Sequence, residues 1–385
     1  MSIDYILVGG GLQNGLLALA IRAHQPAARI AMIERGAAPG GNHTWCFHAG
    51  DVATDARPWV EPLVVHRWNG YDVAFPTLQR GVSSPYALVT SERLSRRVSS
   101  ALEPRGSMLL THTTALEVGK NEITVRSANG TTHTLHGAAV IDARGPDRTP
   151  VEDCGWQKFL GIEIELDRDH GLERPILMDA TVPQIDGFRF MYVLPLASNR
   201  LLVEDTYFSD RPYLDVEALR DEIDAYCANR GWQIRRRVRE EVGVLPLPWR
   251  VHPPRVEAPL IAGYAGGWFH PVTGYSFPIA ARIASTIAGL PAAAFVGPSL
   301  ETLAVDHARQ LRFALRLNRM LFCWYPPDQR HHVLEQFYRR LPEATIERFY
   351  SLQLTAIDRA RMMLARPPRG LSLRAALGGA RPVAS

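Results

Sequence analysis

Four cysteines in 385 residues form neither a disulfide framework nor a zinc ribbon. Cys46, Cys154, Cys227 and Cys323 lie far apart without a CxxC pair, and they read as reduced thiols of a cytoplasmic protein. No apolar run approaches the roughly 18 residues that suggest a spanning helix, so the chain is expected to be soluble or bound to a membrane surface. Strand-like sequence begins by Tyr5, which leaves no room for a signal peptide. The formal charge of +4 is small and scattered, which argues against nucleic acid as partner. His43, Cys46 and His48 stand close together, but their spacing in a loop is not a standard zinc spacing, and no metal is expected. Neither GxSxG nor HExxH occurs, which removes support for a hydrolase. There is no internal repeat, and low complexity is confined to an Arg/Pro/Ala-rich tail after Arg366.

What is present begins with DYILVGGGLQNGLLALAIRA, which has the order strand, glycine turn, helix. Gly9 and Gly11 permit a tight turn and close backbone approach to a pyrophosphate, which then sits at the helix N-terminus. A second strand, Arg29 to Ile33, ends in Glu34, where an acid is expected to hold a ribose. Asn14 occupies the third fingerprint position and Gly15 follows one step later, so helix and strand are expected to pack less closely than usual.

This unit alone does not separate NAD from FAD. A later segment favours FAD: Pro259 to Ala262 read as a short strand ending at Gly263, and HPVTGYSFP leads into a helix from about Ile279 to Ile287. A strand-glycine followed by Pro-x-x-Gly, here Pro271 to Gly274, and a helix closes the flavin site of many flavoproteins. The helix N-terminus there would favour an anionic reduced flavin. Tyr264 stands where an acid often follows the strand glycine. Between the two segments, Ala138 to Ile141 form a strand that Arg144, Gly145 and Pro146 break, returning the chain to the nucleotide domain. The stretch before it alternates like a β-meander, with a turn at Ala128 to Gly130.

The expected architecture is therefore α/β: a Rossmann-like FAD-binding flavoprotein fold with an inserted β-sheet substrate domain and a helical C-terminal region. The FAD domain is assigned to residues 1–150 and 256–295, the substrate domain to 151–255 and the helical region to 296–385. In the middle domain LLVEDTYF places Glu204 and Asp205 side by side on a strand, where alternation lets at most one face a given apolar cavity. Such a carboxyl would be held protonated by desolvation. The other reading is an edge strand with both acids solvated or salt-bridged. In the tail, Arg309, Arg312, Arg316 and Arg319 form one basic stripe, either a solvated helix face or a contact with anionic lipid.

These blocks, together with GGNHTWCFH, GWQKFLGIEI, PILMDATVPQIDGFRFMYVLPL, EEVGVLPLPW, QFYRRLPEATIERFY and RPPRG, resemble the bacterial flavin-dependent lycopene β-cyclases almost end to end. Cys46 and Phe277 depart from the expected Ser and Leu, and Ile279 replaces a frequent acidic residue. The resemblance implies redox-neutral, acid-initiated cyclisation of the acyclic ends of lycopene to β-ionone rings. It implies reduced FAD, NAD(P)H as electron donor, and a carotenoid taken up by an enzyme peripherally attached to the membrane. It points to Glu204 as the acid or acid-base residue, with Asp205 beside it facing away into bonds that fix the strand. The alternative within the same fold is an FAD-dependent reductase or hydroxylase acting on an isoprenoid.

Overall fold

Between the apolar run Ile3–Val8 (β1) and the helix Leu12–His24 (α1) the backbone turns through Gly9 at φ +91°. A Cβ there would lie 3.0 Å from the Ala143 carbonyl oxygen, so the turn requires glycine for its dihedral and for space. β2 (Ile30–Ile33) then pairs parallel to β1 and completes a βαβ unit. The computed structural model describes residues 3–104, 106–145 and 153–378. Pro146 and residues 379–385 of the Arg/Pro/Ala-rich tail lie outside them.

Onward from β2 the chain forms β3 (Thr44–His48), the short helix α2 (Arg57–Val60), β4 (His66–Trp68), β5 (Tyr71–Phe75) and β6 (Leu78–Val82). β7 (Tyr86–Thr90), α3 (Ser91–Ala101) and β8 (Met108–Leu110) precede the meander of β9 (Thr114–Val118), β10 (Glu122–Arg126) and β11 (Thr132–Asp142). The middle region holds β12 (Cys154–Leu166), β13 (Ile176–Asp179), β14 (Phe188–Ala197), β15 (Arg200–Ser209), α4 (Val216–Asn229) and β16 (Ile234–Pro248). After β17 (Leu260–Ile261) and α5 (Phe277–Ala288) the described chain is helical: α6 (Pro298–Trp324), α7 (His331–Arg340), α8 (Glu343–Tyr350), α9 (Ala356–Met363) and α10 (Leu373–Ala376).

The first sheet has the order β8-β2-β1-β11-β10-β9, with β17 added on β11. β11 is longer than the expected Ala138–Ile141 because it serves two partners. Its first half pairs antiparallel with β10, from Thr132 to His136, and its second half pairs parallel with β1, from Gly137 to Asp142. β17 pairs parallel with the end of β11, and α5 packs along α1. Segments far apart in the chain thus form one nucleotide-type layer. α5 begins at Phe277, two residues before the expected start, because Phe277 stacks on Phe47 of β3 at 4.4 Å and anchors the first turn.

The second sheet has the order β16-β12-β15-β14-β13-β5-β6. Two of its strands come from residues 71–82, which the division at residue 150 had placed with the nucleotide half. Their short antiparallel pattern gives no sign of which sheet they join; Asp72 to Ala74 pair in parallel with β13 across the molecule. One face of this sheet packs α4 over Leu201, Val203 and Tyr207. The other joins the main core through Leu202 and Phe208. Gly155 of β12 lets the C-terminal layer close on the sheet, since a Cβ there would lie 2.1 Å from the Phe322 ring of α6.

Candidate active site

The N-terminus of α1 carries no side-chain cap, and nothing lies within 4 Å of a Cβ built on Gly11. Its free N–H groups therefore face open space suited to a phosphate. Glu34, just past β2, accepts hydrogen bonds from the Gly10 N–H at 2.8 Å and the Gly36 N–H at 2.6 Å, which holds its carboxylate beside the turn. Asn14 is fully buried and donates to the Val8 and Gly9 carbonyls, each at 2.9 Å. It ties α1 to the end of β1 from behind, and Gly15 is pressed against Leu94 of α3, so these two shape the cradle without facing into it.

Gly263 adopts φ +62°, and a Cβ on it would lie 3.7 Å from the Cβ of Gln13 in the first turn of α1. The Gln13 side-chain oxygen is buried without a hydrogen-bond partner among the described residues. Gly145 has open space around it, Pro271 is buried, and Gly274 at φ +67° leads into α5, whose start has no side-chain cap. Tyr264, in place of an acid, donates to the Pro246 carbonyl and stacks on Phe269 at 3.8 Å. Two uncapped helix starts, a carboxylate at the end of β2 and an unpaired buried acceptor fit a dinucleotide such as FAD.

On β15 the alternation of side chains separates the two acids completely. Glu204 pairs across the sheet with Gly161 and Tyr192, while Asp205 pairs with Leu160 and Met191. Asp205 and Arg189 are both 0% exposed and joined by two bonds, Nε to Oδ1 at 2.8 Å and Nη2 to Oδ2 at 2.9 Å. Tyr207 adds a third bond to Asp205 at 3.0 Å, and Glu222 takes the second Nη2 bond at 2.8 Å. Burial alone would lower the Arg189 pKa, but the hydrogen bonds and charge of Asp205 outweigh it and raise it. The Asp205 carboxylate is therefore spent on the α4 side of the sheet, turned away from Glu204.

Glu204 points the other way, into a cavity of about 140 Å³. Burial raises its pKa to about 8; the Thr206 hydroxyl bond opposes this, while the charges of Glu241 and Asp205 add to it. A carboxyl so placed keeps its proton at neutral pH. The walls are mostly rings: Tyr86 from β7, Phe190 and Tyr192 from β14, Tyr350 from α8, and Tyr275 from the turn before α5. Thr273 and Tyr275 belong to the Pro271–Gly274 region expected to close a flavin site, so that turn and the acid share one cavity. Burial pushes the Tyr350 phenol up to about 12 and raises those of Tyr86, Tyr192 and Tyr275 well above the usual value, which keeps these rings neutral.

His48 also lines the cavity and is 2% exposed. Its Nε2 has no hydrogen-bond partner among the described residues, and its Nδ1 lies 3.4 Å from Asp51 Oδ2. Asp51 is fixed in turn by the His48 N–H at 2.7 Å and by the Tyr275 hydroxyl. The ring cluster, His48 and Asp51 escaped the sequence reading because they converge from separate elements with no shared period. His43, grouped with His48 by sequence, is half-exposed and pairs with Glu241 on β16 instead. A surface cleft of about 670 Å³ beside α4 and Arg235 to Arg237 shares no lining residue with the Glu204 cavity.

Among solved structures the fold is similar to a geranylgeranyl bacteriochlorophyll reductase-like protein from Thermoplasma acidophilum, at TM-score 0.62 and 14% identity, covering 96% of this chain and 97% of that one. It is also similar to a flavoprotein/dehydrogenase from Cytophaga hutchinsonii, at TM-score 0.64 and 11% identity, covering 94% and 96%. The architecture is thus a Rossmann-like flavoprotein fold with a helical C-terminal layer. The sequence narrows the class further. Residues 4–376 match the family described as lycopene cyclase protein, and the chain belongs to that family. It is 42% identical to a lycopene beta-cyclase from Pseudescherichia vulneris, over 97% of both chains, and 39% identical to one from Pantoea ananas, over 95% of both.

Proposed function

We propose that this chain closes the acyclic ends of lycopene to β-ionone rings by proton addition and proton loss, with Glu204 as the acid. The observation that carries the assignment of Glu204 is its raised pKa in a ring-lined cavity shared with the turn before α5. Protonation of a terminal double bond by the Glu204 carboxyl leaves a tertiary cation. Attack by the next double bond forms the ring C–C bond and moves the charge into the ring. Loss of a ring proton restores neutrality, so the product has the formula of the substrate and no electrons are consumed.

The neutral phenol rings of Tyr86, Tyr192, Tyr275 and Tyr350 favour a cation without attacking it, each contact being worth on the order of 0.5–2 kcal/mol. His48 Nε2 is the second proton-accepting group on the cavity, and Asp51 lies behind the ring with Oδ2 3.4 Å from Nδ1. We assign to it the removal of the ring proton, the choice that separates a β ring from its isomers.

FAD fits the cradle formed by Gly9, Gly11, Glu34, Gly145, Gly263, Pro271 and Gly274, with Asn14 and Gly15 supporting it from behind. Held there in its reduced form it would supply negative charge. NAD(P)H is the electron donor in this reading. In this reading the described residues within 1–150 and 256–295 make up the nucleotide layer, with 71–82 lent to the substrate sheet, and the described residues from 296 to 378 the helical layer. No helix among the described residues is long and apolar enough to cross a membrane. The exposed stripe of Arg309, Arg312, Arg316 and Arg319 on α6 suits peripheral contact with anionic lipid, from which the carotenoid is drawn.

The test is an anaerobic assay in D₂O with lycopene in liposomes and FAD either oxidised or chemically reduced. A cyclic product isomeric with lycopene, carrying solvent deuterium at each new ring only with reduced FAD, is expected. A product that gains two hydrogens, or oxygen on admitting air, identifies a reductase or hydroxylase instead.

A further inference from the structure

The Glu204 cavity, at about 140 Å³, accommodates an end group and not a polyene roughly 30 Å long, the thickness of a bilayer core. The remainder of the molecule needs an apolar site continuous with that cavity. A second cavity of about 380 Å³ lies between α6, α7 and α9. Leu317, Leu321 and Trp324 of α6 form one wall, Leu334 and Phe337 of α7 another, and Met362 of α9 closes the third side. Its charged members, Arg340, Arg361 and Arg366, are exposed and form a rim.

At two places consecutive residues line the two cavities and form a partition between them. Val272 lines the helical groove and Thr273 the Glu204 cavity; Phe349 lines the groove and Tyr350 the cavity. Consecutive Cα atoms are about 3.8 Å apart, and the Phe349 and Tyr350 ring centroids are 5.5 Å apart, so the two linings adjoin there. The partition is made of side chains at element ends: Val272 lies in the turn before α5, and Phe349 in the last turn of α8. At the outer end of the groove Met363 is 49% and Leu364 87% exposed, so apolar surface continues from the lining to the outside of the molecule. Arginines around an apolar mouth suit the boundary between lipid head groups and acyl chains.

We propose that this groove binds the isoprenoid chain of the substrate, with the Met363–Leu364 end as the mouth through which the chain is taken from lipid, and with Val272 and Phe349 turning aside to pass the acyclic end to Glu204. The inference rests on the cyclase reading above and adds to it a chain-binding site of stated position. It implies that recognition is by length and apolarity, since the groove presents hydrocarbon to hydrocarbon and gains roughly 25 cal/mol per Å² covered.

The test compares lycopene with a shortened polyene that bears the same acyclic end. Leu317→Trp and Met320→Trp would fill the groove from half-buried positions on α6. Both variants are expected to raise KM for lycopene at least tenfold while leaving KM for the short substrate and flavin binding within twofold. Equal effects on both substrates, or on neither in variants whose melting temperature is unchanged, would overturn the proposal. A diazirine-bearing polyene photolysed on the unmodified holoenzyme provides a second readout that needs no variant. Label on peptides of α6, α7 or residues 361–371 supports the groove; label confined to other segments refutes it. Failure of the cyclase reading is distinguishable, because then the unmodified enzyme cyclises neither substrate.

Discussion

Glu204 and Asp205 are chemically almost the same group on consecutive residues of one strand, and the two faces of the sheet give them opposite fates. Asp205 meets a buried guanidinium in two-point contact and a phenol, which tie β15 toward α4; burial still raises its pKa, but the Arg189 bonds and charge oppose that rise. Glu204 meets rings, a hydroxyl and no cation, so desolvation wins and the proton stays on. The difference teaches that acidity here is made by withholding a partner. The same sheet that fully pairs one carboxylate leaves its neighbour one hydroxyl bond and an apolar wall.

The comparison is broken most severely by Glu204→Gln. We expect cyclisation to fall by about three orders of magnitude or more, with flavin binding retained, as measured by product formation and by flavin absorbance after gel filtration. Wild-type-like turnover would remove Glu204 from the mechanism. Asp205→Asn should act on the other side of the divide: it leaves Arg189 buried with only Glu222 as an ionic partner, for a loss of about 3–5 kcal/mol in denaturant unfolding. His48→Gln is expected to slow turnover by about ten- to a hundredfold and to shift the product toward ring isomers with a displaced double bond. A slower reaction with an unchanged isomer ratio would make His48 structural only.

Titration sharpens the same contrast. The pKa of Glu204 is raised in the folded state, from 4.5 to about 8, so between these values the native protein keeps a proton that the unfolded chain has released. Stability contributed by that group therefore falls as pH rises through this window, and the Glu204→Gln variant should lose this dependence in melting curves. Activity should decline above about pH 8 as the acid ionises. The smallest effect is expected from Thr206→Val. Removing the hydroxyl that favours the ionised form should move the alkaline limit upward by about one unit, read from the pH profile at saturating substrate.

Much of this is legible in the order of residues alone. Local order reveals the βαβ turn, because a glycine pair between an apolar strand and an amphipathic helix has few other uses. Alternation along LLVEDTYF already required Glu204 and Asp205 to diverge, though not which would face the cavity. What remained hidden was set by distance in the chain. β5 and β6 have strand-like sequence, but their pairing in the substrate sheet depends on β13, a hundred residues away in sequence. Arg189 looked like one arginine among many until β14 was laid beside β15, and His48 became a candidate base only when Tyr275 and Asp51 closed around it. Asn14 is a third case: at the third fingerprint position its side chain donates to the Val8 and Gly9 carbonyls and ties α1 to the strand behind.

The packing of α1 along α5 carries a consequence for biosynthesis. Gln25, just beyond α1, donates to the Ala288 and Leu290 carbonyls, and the Tyr5 hydroxyl donates to Leu290, so the two ends of the cradle are stitched late in the chain. At roughly 5–20 residues per second of translation, the apolar side of α1 waits on the order of tens of seconds at the ribosome before its partner emerges. The cradle is therefore complete only once synthesis has passed Leu290.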